Sequence, residues 1–212
     1  LAKILFINEL YGLIVDLPGV IMEFGVWWGQ NLVLAENLRA IYEPFNHTRR
    51  VIGFDTFSGY AGFSDKDTKT RGGGFESFAD VLKQGGYAVS EGYRAYLEEL
   101  IAAHEGNNIL GNIKKHTLVE GNAIETVPRY LKENPETIVA LAYFDMALYE
   151  PTKACLQAIL PHLVPGSVIL LDELNYPEAP GETIAFKEVF RGVPYSIRKS
   201  KIITDKSIVI LK

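Results

Sequence analysis

The chain has one cysteine, Cys155, in 212 residues. A single thiol excludes an internal disulfide framework and a thiolate zinc site, and its setting in Thr152-Lys153-Ala154-Cys155-Leu156 reads as a buried helical position. Positive charge is also scarce: 21 Lys and Arg against 26 Asp and Glu leave a net charge of −5. No basic cluster reverses that balance locally, so the electrostatic footprint of a nucleic-acid or anionic-lipid partner is missing. Apolar runs stop well short of the roughly 20 residues a membrane span needs, and the first residues lack a charged start followed by a small-residue cleavage site. A cytoplasmic location without a membrane partner is the expectation. A strict G-x-G-x-x-G is absent too, which counts against an NAD-dependent oxidoreductase, because a dinucleotide pyrophosphate requires that tight turn.

What is present has the composition of an ordinary globular protein, 48% hydrophobic and 22% charged. The length fits one domain over 1–212 with an elaborated insertion. Short Val, Ile and Leu runs at Gly19–Val26, Arg50–Asp55, Thr117–Glu120, Thr137–Asp145, Ser167–Asp172 and Ser207–Leu211 read as strands. Between them, helical spacing of apolar residues predicts helices over Ala2–Val15, Asn31–Tyr42, Gly92–His104, Ala123–Glu133, Glu150–His162 and Glu182–Arg191. Alternation of this kind builds βαβ units and a mostly parallel sheet covered on both faces. The last stretch, Tyr195–Lys212, reads as two strands around Thr204-Asp205-Lys206, an antiparallel hairpin at one side of the sheet. The expected fold is thus α/β and Rossmann-like, with seven strands. The stretch 58–92, containing Arg71-Gly72-Gly73-Gly74 and Gln84-Gly85-Gly86-Tyr87, has no sustained period and is expected to be a substrate-side insertion.

In such sheets ligands sit outside the carboxyl ends of the strands, so those ends carry the chemistry. The first is Glu23-Phe24-Gly25-Val26-Trp27-Trp28-Gly29, whose glycines permit close backbone approach and whose following helix offers free N–H donors. Glu23 inside an apolar strand needs a partner, either a cationic ligand or nearby loop amides. Trp27 and Trp28 offer one wall of a pocket, with at least one of them expected in the core. The second end, Gly53-Phe54-Asp55-Thr56-Phe57, presents an acid able to accept the hydroxyls of a ribose. Third comes Glu120-Gly121-Asn122-Ala123, where Asn122 can face an adenine edge or cap the helix beginning at Ala123. The fourth and fifth ends bring Asp145, Asp172 and Glu173 together. Three carboxylates in one cleft repel unless a proton or a hard cation intervenes, and an oxygen-only set suits magnesium rather than zinc. The competing reading leaves one of the three solvated or capping a helix. Asn175–Thr183, stiffened by Pro177 and Pro180, is either a substrate-side loop or a plain connector.

Together these motifs resemble the macrocin O-methyltransferase type of sugar and natural-product methyltransferases, within the class I S-adenosylmethionine-dependent enzymes. The resemblance runs from about Gly19 to Asn175. It rests on Glu23–Gly29, on Gly53-Phe54-Asp55-Thr56-Phe57-Ser58-Gly59, on Asp145 with Leu148-Tyr149-Glu150-Pro151-Thr152, and on Pro165-Gly166 followed by Asp172. It implies a magnesium-dependent transfer of a methyl group to a hydroxyl of a small polyhydroxylated acceptor such as a deoxysugar. It also implies cofactor contacts at Glu23, Gly25, Val26, Trp27, Asp55, Thr56, Gly121, Asn122 and Asp145, and a metal held by Asp145, Asp172 and Glu173. Two departures stand out. The family carries an acid, proposed as the base, where this chain has Ala147, and an Asp-Asp pair where this chain has Asp172-Glu173. A missing base removes about 10²–10⁴-fold in rate. Tyr149, His116 and Glu182 are candidates to replace it, each with a competing surface, cap or packing role, so the base is left unassigned. A non-catalytic cofactor-binding or assembly protein of the same fold is the alternative. The oligomeric state is open, a homodimer included.

Overall fold

The computed structural model describes residues 1–67, 83 and 85–212. Five parallel strands, β1 (Val20–Phe24), β2 (Val51–Asp55), β3 (His116–Glu120), β4 (Val139–Phe144) and β5 (Leu163–Leu171), are joined by an antiparallel pair, β6 (Tyr195–Lys199) and β7 (Ser207–Leu211). Among the described residues they form one seven-stranded sheet in the order β3-β2-β1-β4-β5-β7-β6. The helices among the described residues are α1 (Ala2–Gly12), α2 (Gln30–Tyr42), α3 (Tyr93–Gly106), α4 (Ala123–Glu133), α5 (Tyr149–Ile159) and α6 (Gly181–Val189). None of them is long and apolar enough to cross a membrane.

Strand alternation sorts the core into two layers. Ile21, Val51, Leu141 and Val168 pack with α1, α2 and α3, whereas Met22, Phe24, Ile52, Phe54, Ala142, Phe144, Ile169 and Leu171 pack with α4, α5 and α6. Burial on both faces is why the central strands read as continuous apolar runs in the sequence. The strand order reverses between β1 and β4, and the chain opens a crevice at that point.

Three of the boundaries that differ from the sequence-based expectation do so for a clear local reason. The opening helix ends at Gly12 rather than Val15. The buried Arg49 guanidinium collects the carbonyls of Ile14, Leu17 and Gly19 at 2.8, 2.6 and 2.5 Å and bonds Glu43 at 2.8 Å, fixing a turn into β1. The helix expected to reach His162 stops at Ile159 and continues as a 3₁₀ turn, Leu160–His162, since Pro161 supplies no N–H. Strand β5 begins at Leu163, before the expected Ser167. Its register against β4 shifts between Val139 and Leu141, and Ser167 Oγ bridges the irregularity, accepting from Val164 N at 2.9 Å and donating to the Val139 carbonyl at 2.7 Å. Of the expected insertion at 58–92, residues 68–82 and 84, including Arg71-Gly72-Gly73-Gly74 and Gln84, lie outside the described residues.

Candidate active site

A cleft of about 510 Å³ opens at the carboxyl ends of the five parallel strands. Each end contributes to its lining: Gly25 and Trp27 after β1, Asp55 and Thr56 from β2, Gly121 and Asn122 after β3, Asp145 after β4, and Asp172 and Glu173 after β5. Segments 59–64 and 86–87 form the outer wall, where Tyr60, Phe63, Tyr87 and Trp27 make a chain of ring contacts with centroids 5.5–5.9 Å apart.

The half of the cleft formed by β1, β2 and β3 is built around Asp55. Its carboxylate accepts from Val26 N at 2.7 Å, Trp27 N at 2.8 Å and Phe57 N at 2.6 Å. A carboxylate offers about four acceptor sites, so one remains for a ligand hydroxyl rather than two. Thr56 closes the neighbouring turn by donating to the Gly59 carbonyl at 2.6 Å. Gly25 has φ +89, and a Cβ there would collide with the backbone carbonyl of Asp145. The glycine therefore lets β1 and β4 come together at their ends. Asn122 caps α4 by accepting from Ile124 N at 3.1 Å and also lines the cleft.

In the other half, ligand atoms of Asp145, Asp172 and Glu173 lie within 4.8 Å of one another. Burial, and after it the charge of Asp172, pushes the Asp145 carboxyl up to about 7. Glu173 is driven well above the carboxylate range by burial and by Glu182. Glu182, wholly buried on α6, is raised to about 8 by burial and by Asp172, and accepts from Glu173 N at 2.9 Å. Lys206, at the start of the hairpin's second strand, bonds Asp172 Oδ2 at 2.6 Å. Burial acts to lower that ammonium, but Asp172 outweighs it and the net shift is upward. Glu173 Oε2 is buried and has no hydrogen-bond partner among the described residues. An orphaned carboxylate oxygen facing an all-oxygen donor set fits a hard divalent cation.

Two expected cofactor contacts are placed elsewhere. Glu23 does not line the cleft. It lies within β1 at the parity of Ile21, so its side chain enters the layer under α1 and α2 and bonds Asn31 Nδ2 at 2.6 Å. Burial raises its carboxyl well above the usual range, with Asn31 opposing. The Val26 side chain belongs to the core of the same layer, and only its backbone N–H reaches the site through Asp55. Trp27 stands at the cleft, 46% exposed, while Trp28 turns away to stack edge-on with Tyr93 at 4.6 Å.

The candidate bases separate in the same way. His116 sits at the amino end of β3 between Glu105 and Glu98, at 2.7 and 3.2 Å, at the opposite end of the strand from the cleft. The Tyr149 hydroxyl is held by Glu188 and Lys153 at 2.6 and 2.7 Å. Glu182 alone of the three joins the carboxylate group, but it is fully buried. The loop from Asn175 is closed by Asn175 N donating to Thr183 Oγ1 at 2.7 Å, and residues 174–183 do not line the cleft. Two residues with a place at the site carried no sequence signal: Lys206, which reads as a hairpin link, and Asp67, which reads as one more loop acid.

A sheet ordered 3-2-1-4-5-7-6 with its acids converging at the β1/β4 crevice defines a class I O-methyltransferase fold. The family model for macrocin-O-methyltransferase (TylF) matches residues 12–193, and the chain belongs to that family; it is a methyltransferase. The crystal structure of CalS11, a calicheamicin methyltransferase, is 43% identical, with 99% of this chain and 78% of that one covered at a TM-score of 0.88. An apo structure of CalS11, a TDP-rhamnose 3′-O-methyltransferase of calicheamicin biosynthesis, is 40% identical with the same coverage, 99% and 78%, at a TM-score of 0.79. The O-methyltransferase NovP shares the fold at 18% identity, with 100% and 79% covered and a TM-score of 0.69. No curated protein matches.

Proposed function

We propose that this protein transfers the methyl group of S-adenosylmethionine to a sugar hydroxyl of a natural-product precursor, with a divalent cation, magnesium by its donor set, in the acceptor half of the cleft. CalS11 acts on TDP-rhamnose, and a TDP-linked deoxysugar is the acceptor class to test here first. The observation that carries the reading is the division of one cleft into two acidic halves, Asp55 on one side and Asp145 with Asp172 and Glu173 on the other.

In this reading Asp55 uses its remaining acceptor site for a ribose hydroxyl, while the amides it already holds shape the loop around the cofactor. Asn122 and Gly121 border the nucleoside, and Trp27 covers the opening. Asp145, Asp172 and Glu173 hold the cation, and Lys206 fixes the rotamer of Asp172 by its two contacts, at 2.6 Å to Oδ2 and 3.3 Å to the carbonyl. A hard divalent cation, when bound, supplies Lewis acidity toward an acceptor hydroxyl. The protein contributes chiefly alignment, since holding two reactants in line replaces a bimolecular encounter. Ala147 offers no carboxylate, so the acceptor proton leaves to solvent, and a cation held by Asp145, Asp172 and Glu173 would ease that loss by lowering the pKa of the hydroxyl.

Calorimetric titration with S-adenosylhomocysteine, with and without magnesium, tests the division. Cofactor product should bind in both cases, and methyl transfer to a TDP-deoxysugar should vanish with a chelator. Transfer that survives chelation removes the metal from the proposal, and failure to bind S-adenosylhomocysteine removes the cofactor.

A further inference from the structure

The N-terminus of α5 follows directly on the β4 loop that carries Asp145, yet its N-cap residue is Leu148, whose side chain makes no capping bond. Helix α6 begins the same way, after Pro180. Four N–H groups at each start need partners. The partner comes from 82 positions away in the sequence: Asp67 Oδ1 accepts from Tyr149 N, the first residue of α5, at 2.5 Å. The other oxygen, Oδ2, accepts from Ser64 N at 2.6 Å and Ser64 Oγ at 2.9 Å, so the carboxylate that caps the helix also closes its own turn.

Space has been left for it. A Cβ on Gly181, the first residue of α6, would collide with Asp67 Oδ1 and lie 2.7 Å from Tyr149 N. Because Asp67 is 1% exposed and bonded on both oxygens, it has no rotamer to retreat to. Next to it, Lys66 reaches Glu188 of α6 at 3.1 Å and lies 3.8 Å over the Tyr149 ring. The docked segment is the outer wall of the cleft, and it is tied to the other wall segment, 85–87, by Tyr60 N donating to the Gly86 carbonyl and Gly85 N donating to the Tyr60 carbonyl, both 3.0 Å. From α6 the connection runs on to the carboxylate group through Glu182 and Glu173 N.

We infer that Asp67 is a positioning residue for the acceptor half of the cleft: it clamps the 58–67 wall onto the starts of α5 and α6, and so fixes the wall against the carboxylate group. Its effect on turnover rests on the function proposed above; the clamp itself does not. Cofactor binding, organised by Asp55 at the other strand ends, is independent of it.

Two variants of the full chain test this by different routes. Asp67→Asn replaces one accepting oxygen with an N–H₂ that faces a donor, and Gly181→Ala leaves Asp67 intact but fills its seat. Amide hydrogen exchange should speed up by about tenfold across 58–67 and at Tyr149 in both, as expected for losing a charge-assisted bond. The KM for the acceptor should rise about tenfold with S-adenosylhomocysteine affinity held within about twofold, and the double variant should be no worse than the poorer single one. Unchanged exchange in both variants overturns the clamp. Faster exchange with an unchanged acceptor KM overturns the positioning role, as does a parallel loss of S-adenosylhomocysteine affinity. Should the unmodified protein transfer no methyl group, the proposed function fails while the exchange measurement still decides the clamp.

Discussion

Two clusters of buried and part-buried charged side chains lie at opposite ends of β3 and its neighbours, and they are balanced in opposite ways. At the amino end of β3, Arg39, Lys115 and His116 interleave with Glu36, Glu98 and Glu105, so that each of the three carboxylates bonds at least one Arg, Lys or His donor. At the carboxyl ends, Asp145, Asp172, Glu173 and Glu182 crowd together with the Lys206 ammonium bonded to Asp172. Burial acts to raise Glu98 and Glu105, yet bonds from Lys114 and Lys115 hold both below the usual range. In the cleft burial and the neighbouring carboxylates outweigh the pull of Lys206 on Asp145 and Glu173, and Asp145, Glu173 and Glu182 rise. Glu36 is the exception at the first site, where burial outweighs Arg39. A balanced group is satisfied within the chain, whereas an over-acidic one leaves room for a cationic partner from outside.

Breaking the cleft group should cost the most, and the cost should fall on chemistry. Asp145→Asn is expected to lower methyl transfer by about 10³-fold and to weaken divalent-ion binding, with little loss of melting temperature. Steady-state kinetics and calorimetry with manganese check it; equal activity would show that the trio is structural. Breaking the balanced group should do the reverse. Arg39→Met strands Glu36 and Glu105 in the core and should destabilise by about 3–5 kcal/mol in urea unfolding, leaving S-adenosylhomocysteine affinity unchanged.

Acidity sharpens the contrast further. Glu98 and Glu105 have lowered folded values, so the native state holds fewer protons there than the unfolded chain. Their stabilisation is complete above the unfolded value near 4.5 and is lost as the pH falls through their lowered values. Asp145, at about 7, has a raised folded value, so the native state binds the extra proton and stability declines as the pH rises from 3.8 toward 7. Thermal melts of the metal-free protein should therefore lose stability on both sides of the mildly acidic range. Magnesium should restore the alkaline limb alone, because a bound cation replaces the proton. A magnesium effect of equal size on the acid limb would contradict this. The smallest effect belongs to a residue between the two regions: Asn122→Ala removes the α4 cap and should cost about 1 kcal/mol, with a several-fold loss of S-adenosylhomocysteine affinity.

Much of the architecture was legible because it is periodic. The Val51–Asp55 and Val139–Phe144 runs are apolar at every position facing either helical layer, and the hairpin around Thr204-Asp205-Lys206 carries its own turn signal. Acids at the last residue of a strand or just past it, Asp55, Asp145 and Asp172, were legible for the related reason that parallel strands end on one side of the sheet. Glu23 misled because it lies inside its strand rather than past the end, and parity sends it under α2. Ala147, with φ +57 and a buried methyl, is a loop residue held in the left-handed region, which its spacing in the sequence did not signal.

The amino-acid sequence, read alone, settled the order of strands and helices and which acids stand at strand tips, since both depend on spacing along the chain. Folding in three dimensions decided who answers those acids. Asp67 reaches Tyr149 across 82 positions and Lys206 reaches Asp172 across 34. Local spacing carries no trace of such pairs, because their energy comes from burying distant groups against each other after the sheet has closed.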